Sequence, residues 1–385
     1  MNEGKVNAWN YANCQPTRVR WREGRIAHFE FAPSAPQNLW IAPALFDLQV
    51  NGYAGVDFSR DGVSLESMLF AVRQLRAAGC AWFFVTLTTD PWPRMMARLQ
   101  AFRKLRAQAP ELQSALAGWH IEGPFLSSEP GFCGAHDPSV MCDPKPEHIA
   151  ELRIATAGDP VLLTLAPERA GALEAIAQAA ALGIKVSLGH TNASADIIRR
   201  AVQAGAVSFT HLANGCTQQL DRHDNIVWRV LDTPGLMVGL IPDCIHVSPM
   251  LFRIIHRQLD AARIWYTTDA VSPAGGAPGR YTVGRLEVDV GPDQVVRQPG
   301  KTNFAGSALR PVQGVLRAAG MLGGTWQSAW RCFSAMPRKL MGLEAEMGVG
   351  KEATFCVLET APEGTILSGR LYLNGEPHEM TAVRP

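Results

Sequence analysis

The chain has 385 residues, of which 47% are hydrophobic and 18% are charged, so it can bury one large core or two unequal ones. Its 36 basic and 35 acidic residues leave a formal net charge of +1 with no long run of either sign, which argues against a nucleic-acid patch, an acidic tail or a membrane-surface helix. No stretch approaches the roughly 18 continuous apolar residues of a transmembrane helix, and the eight scattered cysteines contain no CxxC pair, which argues against a disulfide framework or a zinc knuckle.

Both ends of the chain have the composition of β-strands. Residues 1–40 are polar and strand-like, with a turn at Glu23-Gly24, and the C-terminal tail again contains strand-like runs separated by glycine. These two regions, 1–40 and 345–385, predict one small accessory β-sandwich domain built from both termini. Residues 41–344 are then predicted to form a separate catalytic domain.

The central region repeats one pattern, in which an apolar run follows a helix that ends at glycine. Such runs are typical of strands buried in a parallel sheet, and helical segments such as 91–107, 168–182 and 248–261 separate most of them. Eight strands alternating with helices predict an α/β protein with a (β/α)8 TIM-like barrel. A doubly wound open sheet is the alternative, but no GxGxxG motif follows the first strand. The eight runs are 41–50, 81–88, 116–122, 160–165, 184–189, 206–210, 236–242 and 263–269.

After residue 275 the pattern is less regular. The segment 279–290 is predicted to be extended, and helices are predicted from about 307 to 319 and near 325–340. These two helices would complete the barrel.

Four ionisable residues stand at the carboxyl ends of predicted strands, which is the edge where a barrel places its active site. They are Glu122 in the third run, His190 and His211 in the fifth and sixth, and Asp269 in the eighth. A carboxylate and two imidazoles from three strands form the ligand set of a catalytic zinc site, and an aspartate beside it can accept a proton from water. Each residue alone has an ordinary alternative as a helix cap, a loop carboxylate or a core histidine. Their joint position at strand ends favours a functional site.

Further polar residues share faces with these strand ends. Gln49 and Asn51 alternate with Asp47 along the first run, so all three side chains point to one side. In the third run His120 shares a face with Glu122 for the same reason.

The site residues lie in seven segments, DLQVNGYAGVDFS, HIEGPFLSSEPGFCGAHDP, VSLGHTNA, THLANG, IPDCIHVSP, TTDAVSPAG and AGSALRPVQGV. Together these segments resemble the signature blocks of the N-acetylglucosamine-6-phosphate deacetylase family of the amidohydrolase superfamily. They come in the family's order over about residues 43–320. The resemblance implies a distorted (β/α)8 barrel with a small β-sandwich. It also implies a divalent metal held by Glu122, His190 and His211, with Asp269 as the catalytic acid and base.

The resemblance also implies substrate contacts. His136, in the segment GAH, matches a histidine that family members place near the substrate acetamide. Asn214-Gly215, Arg222 and His246 match positions that contact the sugar and its phosphate, and Arg222 would come from the partner in a homodimer. Without the resemblance, Arg222 would be interpreted as an ordinary charged residue of a loop. His246 would be interpreted as a capping or core residue. Arg222 is followed by His-Asp-Asn, whereas Glu-Pro-Gly is frequent in the family. This difference could affect which sugar the site accepts.

Gln49 and Asn51 bear on the number of metal ions. Many amidohydrolases carry His-x-His on the first strand, where the two imidazoles hold a second metal. Neutral carboxamides are weak ligands for zinc or iron. We therefore expect one divalent ion per chain, with zinc as the first choice and iron, cobalt or manganese as alternatives.

The expected activity is metal-dependent hydrolysis of the N-acetyl group of N-acetylglucosamine 6-phosphate to glucosamine 6-phosphate and acetate. Asp269 would accept the proton of the attacking water and return it to the departing amine, while His136 stabilises the oxyanion. The alternatives are another amidohydrolase reaction, such as deacetylation of N-acetylgalactosamine 6-phosphate, and a catalytically silent sugar-phosphate-binding relative. The segment MNEGKVNAWNYANCQ lacks the apolar core of a signal peptide, so we expect a cytoplasmic enzyme without nucleic-acid or membrane partners.

Overall fold

The computed structural model describes residues 3–300 and 304–381. Residues 1–2 and 382–385 of the predicted accessory domain lie outside the described residues. The strands in the described part of the chain are β1 (Glu3–Asn10), β2 (Pro16–Arg22), β3 (Arg25–Phe31), β4 (Leu39–Pro43), β5 (Leu45–Val50), β6 (Gly52–Tyr53), β7 (Val56–Asp57), β8 (Cys80–Thr88), β9 (Leu116–Glu122), β10 (Val161–Leu165), β11 (Lys185–Leu188), β12 (Ala206–Phe209), β13 (Met237–Leu240), β14 (Ile264–Tyr266), β15 (Gly279–Val283), β16 (Leu286–Val290), β17 (Val295–Arg297), β18 (Phe304–Ser307), β19 (Phe355–Thr360), β20 (Ile366–Leu373) and β21 (Glu376–Glu379).

The helices mostly alternate with the barrel strands along the chain. They are α1 (Leu65–Ala77), α2 (Trp92–Gln108), α3 (Pro110–Ala115), α4 (Pro146–Thr156), α5 (Ala172–Ala181), α6 (Ala195–Ala204), α7 (Ile226–Asp232), α8 (Pro249–Gln258), α9 (Pro311–Leu322), α10 (Trp326–Phe333) and α11 (Ala335–Leu340). No helix in the described part of the chain is long and apolar enough to cross a membrane.

The core of the molecule is an eight-stranded sheet with the order β5-β8-β9-β10-β11-β12-β13-β14. Every neighbouring pair in it is parallel. Each predicted apolar run contributes one strand, and the runs are buried on both faces as strands covered by helices must be. The structure therefore confirms the predicted (β/α)8 barrel.

Side chains close the barrel between its first and last strands. The carboxylate of Asp47, on β5, accepts hydrogen bonds from the hydroxyl groups of Thr267 and Thr268, the latter at 2.6 Å. Just beyond, the backbone N–H of Asn51 donates to the carbonyl oxygen of Ala270 at 2.7 Å. Burial raises the pKa of Asp47 to about 6 in spite of these hydrogen bonds. The two strands are thus held together by a buried carboxyl group as well as by backbone contacts.

The helix between the two predicted metal-binding histidines shows how the sequence sets local structure. Ser194 caps α6 at its start, where its hydroxyl accepts the backbone N–H of Ile197 at 3.3 Å. Gly205 ends the helix with a φ of 117°, a left-handed conformation that suits glycine. Ile198 and Ala201 are buried on one face of the helix. The cap and the glycine therefore fix the length of the connection between β11 and β12.

A seven-stranded sheet takes its strands from both ends of the chain, in the order β21-β20-β19-β4-β1-β2-β3. The predicted single run 41–50 is wrong, because Leu39–Pro43 pairs with β1 and β19 in this sheet while Leu45–Val50 enters the barrel. The predicted domain boundary at residue 41 falls within β4. The division of the chain into two domains stays a prediction.

A four-stranded antiparallel sheet, β15-β16-β17-β18, lies between the last barrel strand and α9 in the chain. The extended segment 279–290 was predicted, but its hairpin and partners were not. The helix predicted from about 307 begins later, at Pro311, because residues 304–307 pair in β18. The segment 325–340 forms two helices that meet at Ser334.

Candidate active site

Three of the predicted site residues have strained backbone at the carboxyl edge of the barrel. The φ angles of His190, His211 and Asp269, which follow β11, β12 and β14, are 49°, 26° and 51°. Residues other than glycine rarely adopt such angles, and each costs on the order of 1–3 kcal/mol. Strain of this kind at three strand ends in one molecule marks the edge as a candidate functional site.

The carboxylate of Glu122, at the end of β9, is the centre of a buried cluster. His211 Nε2 lies 3.0 Å and His190 Nε2 3.5 Å from Glu122 Oε1. His136 Nε2 lies 3.8 Å from Glu122 Oε2. One ligand atom each from Glu122, His136 and His190 lies within 4.8 Å of the others. Among the described residues this group includes His136, which was predicted to contact substrate, and does not include the predicted ligand His211, although His211 contacts Glu122.

The chemistry of these residues fits a divalent metal ion. Burial alone would raise the pKa of Glu122, but hydrogen bonds from His190 and His211 bring it well below its usual range. The ring Nδ1 of His190 donates to the carbonyl oxygen of Phe132 at 3.0 Å, so Nε2 is the nitrogen that faces Glu122. An ionised carboxylate beside imidazole nitrogens is a donor set that binds zinc and related ions once those nitrogens are deprotonated.

His136 is held in place by a residue that the sequence did not single out. The Nδ1 atom of His136 lies 2.8 Å from the hydroxyl of Thr89. The same hydroxyl donates to the carbonyl oxygen of Glu122 at 3.3 Å. Burial, followed by repulsion from His190, lowers the pKa of His136 to about 3. The imidazole is therefore neutral at physiological pH.

Asp269 lies at the same edge with a perturbed carboxyl group. Burial, followed by repulsion from Glu122, raises its pKa to about 7. The side-chain N–H of Asn51 donates to Asp269 Oδ1 at 2.7 Å. A carboxyl that titrates near neutral pH is matched to proton transfer in both directions.

Gln49 and His120 lie behind the cluster and are fully buried. Gln49 Nε2 donates to Glu122 Oε1 at 2.9 Å, and its carbonyl oxygen accepts from the hydroxyl of Thr210 at 3.1 Å. His120 Nε2 lies 2.7 Å from the hydroxyl of Thr164. Gln49 therefore orients the carboxylate of Glu122, while His120 contacts the neighbouring strand β10 through Thr164.

No protein-family model matches the chain. The chain is 33% identical over 354 residues to N-acetylglucosamine-6-phosphate deacetylase of Bos taurus, which covers 86% of this chain and 83% of that protein. The chain belongs to the N-acetylglucosamine-6-phosphate deacetylase family. The family predicted from the sequence motifs is thereby confirmed.

Two other relatives of this deacetylase family are informative. N-acetylgalactosamine-6-phosphate deacetylase of Escherichia coli O157:H7 is 29% identical over 349 residues, which cover 89% of this chain and 90% of that protein. Among solved structures, that of the Mycobacterium smegmatis N-acetyl-D-glucosamine-6-phosphate deacetylase in complex with N-acetyl-D-glucosamine-6-phosphate has a TM-score of 0.86 and 28% identity. It covers 98% of this chain and 99% of that protein.

The residues that the deacetylase motifs assigned to substrate are only partly brought together. Asn214, Gly215 and His246 line a cavity of about 1020 Å³ that also contains the Glu122 cluster and Asp269. Arg222 is not among the residues lining this cavity in the described part of the chain, and its exposed side chain donates to His223 Nε2 at 3.0 Å. Within one chain, therefore, Arg222 stays outside the site.

Two glycines of the cavity wall pack against the ring of His190. A Cβ atom at Gly134 would lie 2.8 Å from His190 Cε1, and one at Gly215 would lie 2.7 Å from His190 Nδ1. Both positions also have left-handed φ angles, 60° and 59°. Gly215 thus has a packing reason to be glycine besides the substrate contact predicted for it.

Sequence reasoning missed three groups that hold the site residues, namely the Thr89 hydroxyl, the Phe132 carbonyl and the Asp243 carboxylate. The first two depend on contacts over 47 and 58 residues along the chain, for which the sequence carries no local signal. Asp243 is different, because it stands only three residues before His246 and its carboxylate contacts that ring at 2.6 Å. The spacing Asp-x-x-His is a turn signal that could have identified it.

Proposed function

We propose that the chain hydrolyses the N-acetyl group of N-acetylglucosamine 6-phosphate, giving glucosamine 6-phosphate and acetate. The observation that carries this proposal is the buried Glu122–histidine cluster facing Asp269, whose pKa is raised to about 7, in one cavity of a chain from this family. A family relationship without these residues would support only the fold.

Glu122, His190 and His211 would hold a divalent metal ion, and we propose zinc at one ion per chain. When bound, such an ion supplies Lewis acidity, which makes water more acidic and polarises an amide carbonyl. Gln49 and Asn51 occupy the first-strand positions and carry neutral carboxamides, which are weak ligands. Their hydrogen bonds to Glu122 and Asp269 instead orient the two carboxylates.

Asp269 is proposed to carry out both proton transfers. Its ionised carboxylate accepts the proton of the attacking water, and Asn51 holds the Oδ1 atom in place while it does so. The protonated carboxyl then gives that proton to the amide nitrogen, which is otherwise too poor a leaving group. A pKa of about 7 suits both steps, because neither form of the carboxyl is strongly favoured at neutral pH.

His136 is proposed to stabilise the oxyanion that forms on the amide carbonyl. A neutral imidazole donates from Nε2 only if Nδ1 is unprotonated, and this requires the Thr89 hydroxyl to donate to Nδ1. Thr89 has a single hydroxyl proton, so in this arrangement it donates to His136 at 2.8 Å in place of its 3.3 Å hydrogen bond to the carbonyl oxygen of Glu122. A fixed donor at the developing charge is the usual source of electrostatic catalysis.

The phosphate end of the substrate is proposed to meet His246, the Asn214-Gly215 backbone and Arg222 of the partner subunit in a homodimer. The first two groups line the cavity of their own chain. Arg222 lies outside it and is exposed, so its guanidinium is available to a neighbouring site. A planar guanidinium is well suited to phosphate oxygens.

We also propose a cytoplasmic location, which rests on the cysteines. All eight are unpaired, including the exposed Cys14 and Cys244. Unpaired thiols on a protein surface are typical of a reducing compartment.

The test is an acetate-release assay with the metal-loaded protein. We expect turnover of N-acetylglucosamine 6-phosphate and little turnover of the sugar without phosphate. N-acetylgalactosamine 6-phosphate is the second candidate substrate, because a deacetylase for that epimer is 29% identical to this chain. Preference for the galactosamine epimer would change the assigned substrate, and no acetate from either phosphate would refute the proposed activity.

A further inference from the structure

His246 lines the cavity and forms a buried pair with Asp243 behind it. They lie in the loop after β13, and His246 Nδ1 is 2.6 Å from Asp243 Oδ2. The exposed fractions of the two side chains are 8% and 3%, so little water competes for this contact. A hydrogen bond to a carboxylate at such a distance is among the strong ones in proteins.

Asp243 is itself fixed by neighbouring groups. Its Oδ1 atom accepts the backbone N–H groups of Ile245 at 2.9 Å and His246 at 2.8 Å. Arg317, on α9, donates to the carbonyl oxygen of Asp243 at 3.2 Å. Burial alone would raise the pKa of Asp243, but the charge of His246 and these hydrogen bonds bring it below its usual value. The carboxylate is therefore ionised and held in position without a ligand.

We propose that Asp243 is a positioning residue that holds the ring of His246 so that its Nε2 donates a hydrogen bond to the phosphate of the substrate. This inference rests on the proposed function. Nδ1 of His246 is committed to Asp243, so Nε2 is the ring nitrogen left for a ligand. A phosphate dianion offers only acceptors, and it can bind Nε2 only when that nitrogen carries a proton.

The ring contacts a different acceptor at each nitrogen. In the imidazolium both nitrogens are donors, so Nδ1 can donate to Asp243 while Nε2 donates to the phosphate. The ring of Phe304 packs against His246, with centroids 5.1 Å apart and planes tilted by 54°, which restrains the imidazole on its other side. Asp269 is the other ionisable group that interacts with His246, and this electrostatic interaction lowers the pKa of Asp269. Asp243 thus acts on the substrate through His246 and not by contact.

A double-mutant cycle tests this with the full-length, metal-loaded protein. The variants are Asp243→Asn, His246→Asn and the double variant. Asp260→Asn is the matched control, because Asp260 also caps a turn by accepting a backbone N–H, and no histidine in the described part of the chain pairs with it. The measurements are kcat and KM on the phosphorylated and plain sugars. The affinities for glucose 6-phosphate and glucose are measured by calorimetry, which needs no turnover.

We expect Asp243→Asn to raise KM for the phosphorylated sugar and to weaken glucose 6-phosphate binding by about tenfold, as loss of a charge-assisted hydrogen bond does. The effect on kcat should be smaller, and glucose binding should change far less than glucose 6-phosphate binding. The double variant should bind glucose 6-phosphate no more weakly than His246→Asn alone, because Asp243 acts only through His246. Asp260→Asn should behave as wild type.

The inference would be overturned if the losses of affinity in the two single variants add in the double variant. It would also be overturned if Asp243→Asn weakens the binding of glucose 6-phosphate and of glucose equally. Asp243→Glu keeps the carboxylate and is expected to bind glucose 6-phosphate within about threefold of wild type. If Asp243→Asn and Asp243→Glu weaken binding equally, Asp243 is only a structural cap. Wild-type protein that releases no acetate refutes the proposed function, whereas acetate release with additive losses refutes this inference alone.

Discussion

The side-chain N–H of Asn51 donates to Asp269 Oδ1 at 2.7 Å, and this hydrogen bond joins the first and last strand ends of the barrel. The two residues are 218 positions apart in the chain. At the position of Asn51 many amidohydrolases carry a metal-binding histidine. Here the carboxamide instead contacts the carboxyl group for which we propose the proton transfers.

Asp269→Asn is expected to lower kcat by roughly 10² or more, in line with the contribution of general acid–base groups. The carboxamide cannot accept the proton of water, but it has nearly the same shape, so the fold and the metal content should persist. Steady-state kinetics and elemental analysis are the measurements, and Asp196→Asn, on the exposed face of α6, is the control. Turnover within a few-fold of wild type would remove Asp269 from the mechanism.

Asn51→Ala is expected to change the pH dependence of activity. The hydrogen bond from Asn51 lowers the pKa of Asp269, which burial and Glu122 raise to about 7, so its loss raises that pKa further. Asp269 accepts a proton only when ionised, so activity falls as the pH drops through its pKa. The acid limb of kcat/KM should therefore move up by about one pH unit. If the acid limb of kcat/KM stays at its wild-type position and kcat/KM falls equally at every pH, Asn51 does not act through the Asp269 carboxyl.

Elemental analysis of the fully active protein should find about one divalent metal ion per chain. His190→Ala and His211→Ala should each lose both metal and activity, because each removes one of three proposed protein ligands. His378→Ala is the control, since His378 is exposed on β21. Activity that rises only as a second equivalent binds would contradict a single-metal site.

Arg222→Ala is expected to lower kcat/KM for the phosphorylated sugar by about tenfold or more and to change it far less for the plain sugar. The exposed Arg199 supplies the matched control, Arg199→Ala. Equal losses on the two sugars would make Arg222 structural.

Mixing Arg222→Ala with Asp269→Asn tests whether Arg222 acts across a dimer. A heterodimer of these variants has one site in which both residues are intact, so activity should reappear on mixing. If confirmed heterodimers stay inactive, Arg222 does not complete the site of the partner subunit.

Asp47→Ala should lower the free energy of unfolding by about 2–4 kcal/mol, because it leaves several buried donors without an acceptor. The donors are the hydroxyl groups of Thr267 and Thr268 and two backbone N–H groups. Thr267→Val removes one of these donors and should cost about 1 kcal/mol. Urea unfolding measures both, and equal stability of Asp47→Ala and wild type would show that this carboxyl does not hold the barrel closed.

The sequence by itself determined the barrel strands and the edge that carries the chemistry. Runs such as 81–88 and 184–189 are largely apolar because both faces of a parallel strand are buried. The side chain that ends such a run must stand at the carboxyl edge, so Glu122, His190 and Asp269 were identifiable before any contact was known. The family motifs followed from the same segments.

Only the tertiary structure decided which groups act on these residues. Thr89 reaches His136, Phe132 reaches His190 and Asn51 reaches Asp269 across long separations in the chain. Such contacts depend on how strands from distant segments stand beside each other, and no local pattern of residue types encodes that distance. The same reason explains why one run of apolar residues, 41–50, was divided between two sheets: both sheets bury apolar side chains, and only the pairing partners distinguish them.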